Sequence, residues 1–172
     1  MFQDEARFGR ISEARYAWAP YPERPQVCAS HIREYSYAYA ALCPHDGIMD
    51  SLVLPWADTR CMDLFLAEVA QRHPHDFIVM VLDGAGWHRA QALRIPPRMG
   101  LLFLPPYSPE LNPVEHVWDE LREKHFHNRA FASLDAVELQ LCSALRSLEQ
   151  DPGRVRSITG WDWIINIILN AD

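Results

Sequence analysis

Two acidic residues stand where the chain would give a carboxylate work to do. Asp83 ends the apolar run Phe77 to Leu82, FIVMVL, and so emerges at the carboxyl end of a buried strand, where open α/β sheets place their ligand chemistry. Glu115 falls in the first turn of a helix announced by Asn112 and Pro113, an N-cap residue followed by a proline at the first helical position. A carboxylate mounted on a rigid element suits metal binding or acid–base work. Both residues also have plainer readings. Asn112-x-x-Glu115 has the spacing of a capping box, and an Asp before Gly-Ala-Gly can start a turn or cap a short helix at His88 to Leu93. His73 and His75, flanking Pro74, read as an exposed loop rather than a metal site.

The elements that must position these groups are legible from periodicity. Leu101 to Leu104 is a continuous apolar run suited to a strand covered on both faces. Pro105, Pro106 and Pro109 then fix φ and stop further pairing. In the following helix, over Glu115 to about Phe126, Val114, Val117, Trp118 and Leu121 recur at helical spacing, which places Glu115, Asp119 and Arg122 together on the neighbouring face. Upstream, Ala14 to Ala19 reads as a short strand. Tyr35, Tyr37 and Tyr39 alternate along a strand over Glu34 to Leu42, His45-Asp46-Gly47 makes a turn, and Ile48 to Leu54 returns as the antiparallel partner. Thr59 to Gln71 is helical. A last long helix begins at Ser133, buries Leu134, Val137, Leu141, Leu145 and Leu148, and ends at Asp151-Pro152-Gly153. The tail from Gly160 to Leu169 is apolar nearly all round, which calls for burial against the sheet or against another subunit.

Composition bounds the function class. The chain has 172 residues, 49% hydrophobic and 23% charged, which fits one globular domain over 1–172. MFQDEARFGR lacks an apolar signal core and no run reaches the roughly 20 apolar residues of a membrane helix, so a cytoplasmic, nucleoid-associated protein with no membrane partner is expected. Cys28, Cys43, Cys61 and Cys142 form no C-x-x-C pair and read as reduced, mostly buried thiols. The net charge of −7 is unusual for a phosphate-binding protein. Its cations are nearly all Arg, with Lys124 the only lysine, and Arg grips phosphate with paired hydrogen bonds.

The wording of three segments adds a resemblance. YSPELNPVEHVW, from Tyr107 to Trp118, resembles the third catalytic block of insertion-sequence transposases of the mariner-related branch, whose catalytic domain is a DDE superfamily endonuclease. LDGAGWHRA, around Asp83, resembles the second block, with Gly84 where the family usually has Asn. The opening MFQDEARFG resembles the first, more weakly, and matches Asp4 to the first catalytic aspartate. The resemblance implies an α/β, ribonuclease-H-like fold: a mixed five-stranded sheet flanked by helices, with a truncated first strand because only three residues precede Asp4. Asp4 there could equally fray into solvent. The helix-turn-helix region that reads transposon ends is expected to be absent from this chain and to come from an upstream polypeptide, as from a split or frameshifted gene.

The same resemblance implies that Asp4, Asp83 and Glu115 converge as catalytic, metal-binding residues, with no organic cofactor, and places His88, Asp119 and Arg122 beside them or facing DNA. Two carboxylates about 4 Å apart repel by about 4 kcal/mol at an effective dielectric near 20. Divalent cations relieve that repulsion, and an all-oxygen set suits Mg²⁺ or Mn²⁺, in two ions, rather than zinc. The expected reaction is DNA strand cleavage and strand transfer at insertion-sequence ends by a homo-oligomer. The alternatives are a truncated, inactive remnant that serves as an interaction module and, behind it, a structure-selective nuclease of the same fold.

Overall fold

The computed structural model describes residues 1–11, 16, 18–24 and 32–169, the last three of these for backbone only. Five strands form one sheet in the order β3-β2-β1-β4-β5. β1 (Phe2–Gly9), β2 (Tyr35–Leu42) and β3 (Met49–Leu54) are an antiparallel meander, and β4 (Ile78–Leu82) and β5 (Met99–Phe103) add in parallel on the other side of β1. The hairpin between β2 and β3 turns at Gly47, whose φ of 79° lies in the left-handed region. A Cβ at Gly47 would sit 2.1 Å from the Pro152 carbonyl oxygen, so glycine is required twice over.

Asp4 does not sit in a frayed stub. β1 pairs with β2 over all eight of its residues, from Phe2 opposite Leu42 to Gly9 opposite Tyr35. The N-terminal side, short as it is, is tied down: the Met1 ammonium donates to the Val79 carbonyl at 2.8 Å, and the Met1 carbonyl accepts from the Val81 N–H at 2.8 Å.

Alternation along β1 then divides the molecule into two layers. Ala6 and Phe8 face a core closed by α2 (Val114–Leu121), α3 (Leu134–Glu149) and α4 (Pro152–Thr159), in which Trp118 and Phe126 meet Phe8. On the other face Tyr39, Ile78, Met80 and Leu82 pack on α1 (Thr59–Arg72) through Met62, Phe65 and Leu66. Each of α1, α3 and α4 starts at a side-chain cap: Asp58 accepts from Cys61, Ser133 from Ala136 and Asp151 from Arg154. The Tyr35, Tyr37 and Tyr39 stripe is sheet packing, with Tyr39 against Phe65 and its hydroxyl donating to the Trp56 carbonyl.

Several elements differ from the sequence expectation. Of the strand expected over 14–19, Ala14, Arg15 and Ala17 lie outside the described residues, and Tyr16, Trp18 and Ala19 are not in strand. The short helix expected at His88 to Leu93 is a series of turns, because the His88 side chain is drawn back to Asp83 and Glu5. Asp151-Pro152-Gly153 does end α3, but it also starts α4, with Asp151 as cap and Pro152 in the first turn. The helix carrying Glu115 finishes in a π-helical turn, Arg122–Phe126. The apolar tail contains α5 (Asp162–Leu169), with Ile164 fully buried. His73 is half-buried against Asp50 rather than solvated, and Cys142 is exposed.

Candidate active site

Register brings the first two aspartates level. In the parallel β1–β4 pair Phe2 lies opposite Val81, and two steps along both strands lead to Asp4 and Asp83. Glu115 arrives from α2, and its place is set by Asn112. The Asn112 amide donates to the Gln3 carbonyl at 3.0 Å, stapling the start of the helix to β1, while its Oδ1 accepts from the Val114 N–H at 3.2 Å. The capping box is not made: the Asn112 N–H is donated to the Pro109 carbonyl at 2.9 Å, and Pro113 rather than Asn112 takes the cap position, with Val114 the first helical residue. Glu115 is thereby released from capping.

Asp4, Asp83 and Glu115 line one open cleft, together with Gly84, Ala85, Arg89, the segment Leu104 to Pro109, and Asn112. Burial, reinforced by the Glu115 carboxylate, pushes the Asp4 pKa up to about 7, and a hydrogen bond from the buried Trp118 indole to Oδ2, 2.8 Å, works against the rise. Glu115 is raised as well, chiefly by burial. Arg122 and His116 oppose that rise, while Asp119 and Asp83 add to it. Among the described residues no Arg or Lys ion-pairs with any of the three. Asp4 and Glu115 are therefore carboxyl groups whose ionisation burial disfavours and no Arg or Lys ion pair restores.

The donor set is all carboxylate oxygen, which suits a hard divalent cation of the Mg²⁺ or Mn²⁺ kind. The three side chains share a cleft without being drawn around one point: among the described residues no group of three His, Cys, Asp or Glu is gathered closely enough to hold a metal ion.

Asp83 is engaged elsewhere. Its Oδ1 accepts from the Ala85 N–H at 2.9 Å and lies 2.7 Å from His88 Nδ1. His88 is buried, and its Nε2 lies 2.8 Å from Glu5 Oε1, to which the Trp87 indole also donates at 3.3 Å. Burial alone would lower the His88 pKa, but the Glu5 and Asp83 carboxylates outweigh it and hold the ring above its ordinary value. His88 was expected beside the site and is there. Glu5 was not singled out, although its place beside Asp4 on an alternating strand puts it on the opposite face at the same level. Asp119 and Arg122 lie outside the carboxylate cleft, in a neighbouring groove with Arg7, Arg33 and His127. Their side chains stand 3.9 Å apart, and the Arg122 guanidinium covers the Phe8 ring.

Two further cleft residues carry no signal in periodicity. Tyr107 stands fully exposed at the rim with φ 58°, an uncommon backbone for a bulky side chain. Arg89 stacks over Phe103, and the missing side chain at Gly84 leaves it room: a Cβ there would lie 2.8 Å from its guanidinium.

Comparison with known proteins follows the same lines. The model of the DDE superfamily endonucleases matches residues 1–138. The uncharacterized protein y4pE/y4sA of Sinorhizobium fredii (strain NBRC 101917 / NGR234) is 39% identical over 130 residues, 75% of this chain and 96% of that protein. The Tcb1 transposable element transposase of Caenorhabditis briggsae is 26% identical over 124 residues, 66% of this chain but 41% of that protein. Among solved structures, the Mos1 mariner paired end complex with Mn superposes with a TM-score of 0.63 at 14% identity, covering 91% of this chain and 52% of that one. The corresponding complex with Mg gives 0.58 at 15% identity, covering 93% and 55%. This chain therefore spans well under two thirds of the transposases it resembles. The structural likeness makes the sheet and its flanking helices a ribonuclease-H-like fold.

Proposed function

The chain belongs to the DDE superfamily endonucleases, and from that premise we propose that it is the catalytic domain of a DNA transposase. It cleaves a strand at insertion-sequence ends and joins the freed end to target DNA, with Asp4, Asp83 and Glu115 as the catalytic carboxylates holding two Mg²⁺ or Mn²⁺ ions. The observation that carries this reading is that the three acids, from β1, the end of β4 and α2, line one cleft in which, among the described residues, no Arg or Lys ion-pairs with any of them. When bound, such ions supply an activated water or 3′-hydroxyl and stabilise the leaving oxygen. In the first step a water oxygen bonds to phosphorus as the bond to the 3′-oxygen breaks. In the second the released 3′-hydroxyl attacks a target phosphate in the same way.

The chain's own residues orient these groups. Asn112 and Trp118 fix Glu115 and Asp4 relative to each other. Arg89 is placed to meet a phosphate and Tyr107 to stack on a base, a contact worth about 1–3 kcal/mol. DNA is the partner in this reading, supported by the solved Mos1 transposase paired-end complex with a left transposon end. The net charge of −7 is the reason for assigning end recognition to an upstream DNA-binding polypeptide, and the apolar tail is the reason for expecting a homo-oligomer.

The test is divalent-dependent nicking of end DNA by the wild-type chain beside Asp83→Ala and Glu115→Ala. Each substitution is expected to remove cleavage to background in a chain that still unfolds cooperatively. Cleavage retained by either variant would overturn the assignment. The inactive-remnant reading draws on the spread of the three carboxylates, and it predicts neither cleavage nor any gain in melting temperature with Mn²⁺.

A further inference from the structure

Asp4 and Glu5 are neighbours on β1 and point to opposite faces of the sheet. Asp4 belongs to the α2 layer, where Trp118 donates to it. Glu5 belongs to the α1 layer beside Tyr39, with a side chain only 5% exposed. A buried carboxylate is costly unless it is paired, and Glu5 is paired with His88, itself 1% exposed, at 2.8 Å. The other ring nitrogen of His88 reaches Asp83 Oδ1 at 2.7 Å. A chain of two short contacts thus runs from the back of the sheet around the end of β4 to the front.

Packing alone does not account for it. A buried ionic chain is rarely more stabilising than an apolar filling of the same volume. What the chain does achieve is local. Asp83 lies just past the end of β4 with a side chain 56% exposed, where a carboxylate would ordinarily sample several rotamers. Here Oδ1 is held from two directions, by His88 Nδ1 and by the Ala85 N–H at 2.9 Å, and Oδ2 is the oxygen left for the cleft.

We propose that Glu5 and His88 are positioning residues for Asp83: Glu5 orients the imidazole, the imidazole and the Ala85 N–H hold Oδ1, and Asp83 meets a divalent cation through Oδ2 alone. This rests on the function proposed above. Partners of this kind, which orient a ligand without touching the ion, typically account for about 10–100-fold in metal affinity.

The experiment is Mn²⁺ titration by calorimetry, with metal-free thermal unfolding in parallel, on the wild-type chain and on Asp83→Ala, His88→Ala, His88→Asn, Glu5→Leu and Glu5→Gln. His88→Ala and Glu5→Leu are expected to weaken Mn²⁺ binding by about 10–100-fold. Glu5→Gln, which still accepts a hydrogen bond from the ring, is expected to remain close to wild type. His88→Asn, whose amide reaches toward Asp83, should fall between. If His88→Ala does not fold, the contrast between Glu5→Gln and Glu5→Leu carries the test, because a merely structural role moves melting temperature without separating those two in affinity. Asp83-dependent binding that is unchanged in the His88 and Glu5 variants overturns the positioning role and leaves the function standing. No saturable binding in the wild type, or binding indifferent to Asp83→Ala, overturns the function and the positioning role with it.

Discussion

Two clusters in this protein place a histidine 2.7 Å from an aspartate, and they treat the charge in opposite ways. At one, Asp50 on β3 is met by His73 Nε2 at 2.7 Å and by Arg72 at 3.3 Å, while Glu149 of α3 accepts from the Ser51 N–H and hydroxyl, both at 2.7 Å, and lies 3.5 Å from the same guanidinium. Acids from a strand and the end of α3 share one cation from the end of α1, and the cluster ties both helices to the edge of the sheet. At the other, His88 faces Asp83, but Asp4 and Glu115 have no Arg or Lys ion pair among the described residues, and burial holds the pKa of both up. The first cluster is an assembled joint. The second is short of positive charge, which is the condition a divalent cation relieves. The presence of acids and histidines does not separate structural from functional clusters here; the compensation does.

Exchanging acid for amide at each cluster should have the largest effect and in opposite senses. Asp4→Asn is expected to abolish saturable Mn²⁺ binding yet raise metal-free stability at pH 8 by about 1–3 kcal/mol, since a carboxylate that resists ionisation is removed. Asp50→Asn should lower stability and leave Mn²⁺ binding untouched. Calorimetry and chemical denaturation on the two variants together decide it, and parallel behaviour would erase the distinction.

A smaller effect is expected from Arg72→Met, which leaves Asp50 and Glu149 without their shared guanidinium. A loss of about 1–3 kcal/mol, read from the denaturation midpoint, is the expected outcome. The same substitution should not alter DNA cleavage.

The pH dependence sharpens the contrast further. The folded-state pKa of Asp4, about 7, lies above its unfolded value near 3.8. Between the two the unfolded chain has released a proton that the native state retains. Asp4 therefore contributes a fall in metal-free stability as pH rises from about 4 to 7, and no further change above. Mn²⁺ affinity should climb over the same range and level off near pH 7 as the proton ceases to compete. Stability of Asp4→Asn against pH should lack that fall.

The smallest effect is assigned to Trp118→Phe. It keeps the aromatic packing on Phe8 but removes the N–H that stabilises ionised Asp4, and should move the levelling of Mn²⁺ affinity to higher pH with a modest loss of stability, about 1 kcal/mol.

Much of the frame was legible before any coordinates. β2, β3, α1, β4 and α3 are where alternation, apolar runs and cap residues place them, because in each the local preference and the packed face agree. β5 is a strand as its apolar run predicts, but at the sheet edge with Leu102 and Phe103 exposed rather than covered on both faces. Disagreement arose where a side chain had a stronger offer at a distance. His88 to Leu93 is no helix since His88 reaches two carboxylates. Glu115 has a capping spacing and no capping bond, since the Asn112 N–H goes to Pro109 and its amide to β1. His73, bland beside a proline, is recruited by Asp50.

What the sequence determined by itself is the set of chemically able residues and the elements that carry them: Asp83 at a strand end, Glu115 in a first turn, Trp118 on a buried stripe. These follow from periods of two and 3.6, which are properties of a few neighbouring residues. Tertiary structure alone decided that Phe2 lies opposite Val81, and hence that Asp4 stands level with Asp83. It decided that Trp118 donates to Asp4, and that Glu5 holds His88 from the far side of the sheet. Those relations join residues about 80 to 114 positions apart. They depend on strand register and on which face each side chain takes, and a shift of one residue in pairing would exchange Asp4 for Glu5 at the cleft.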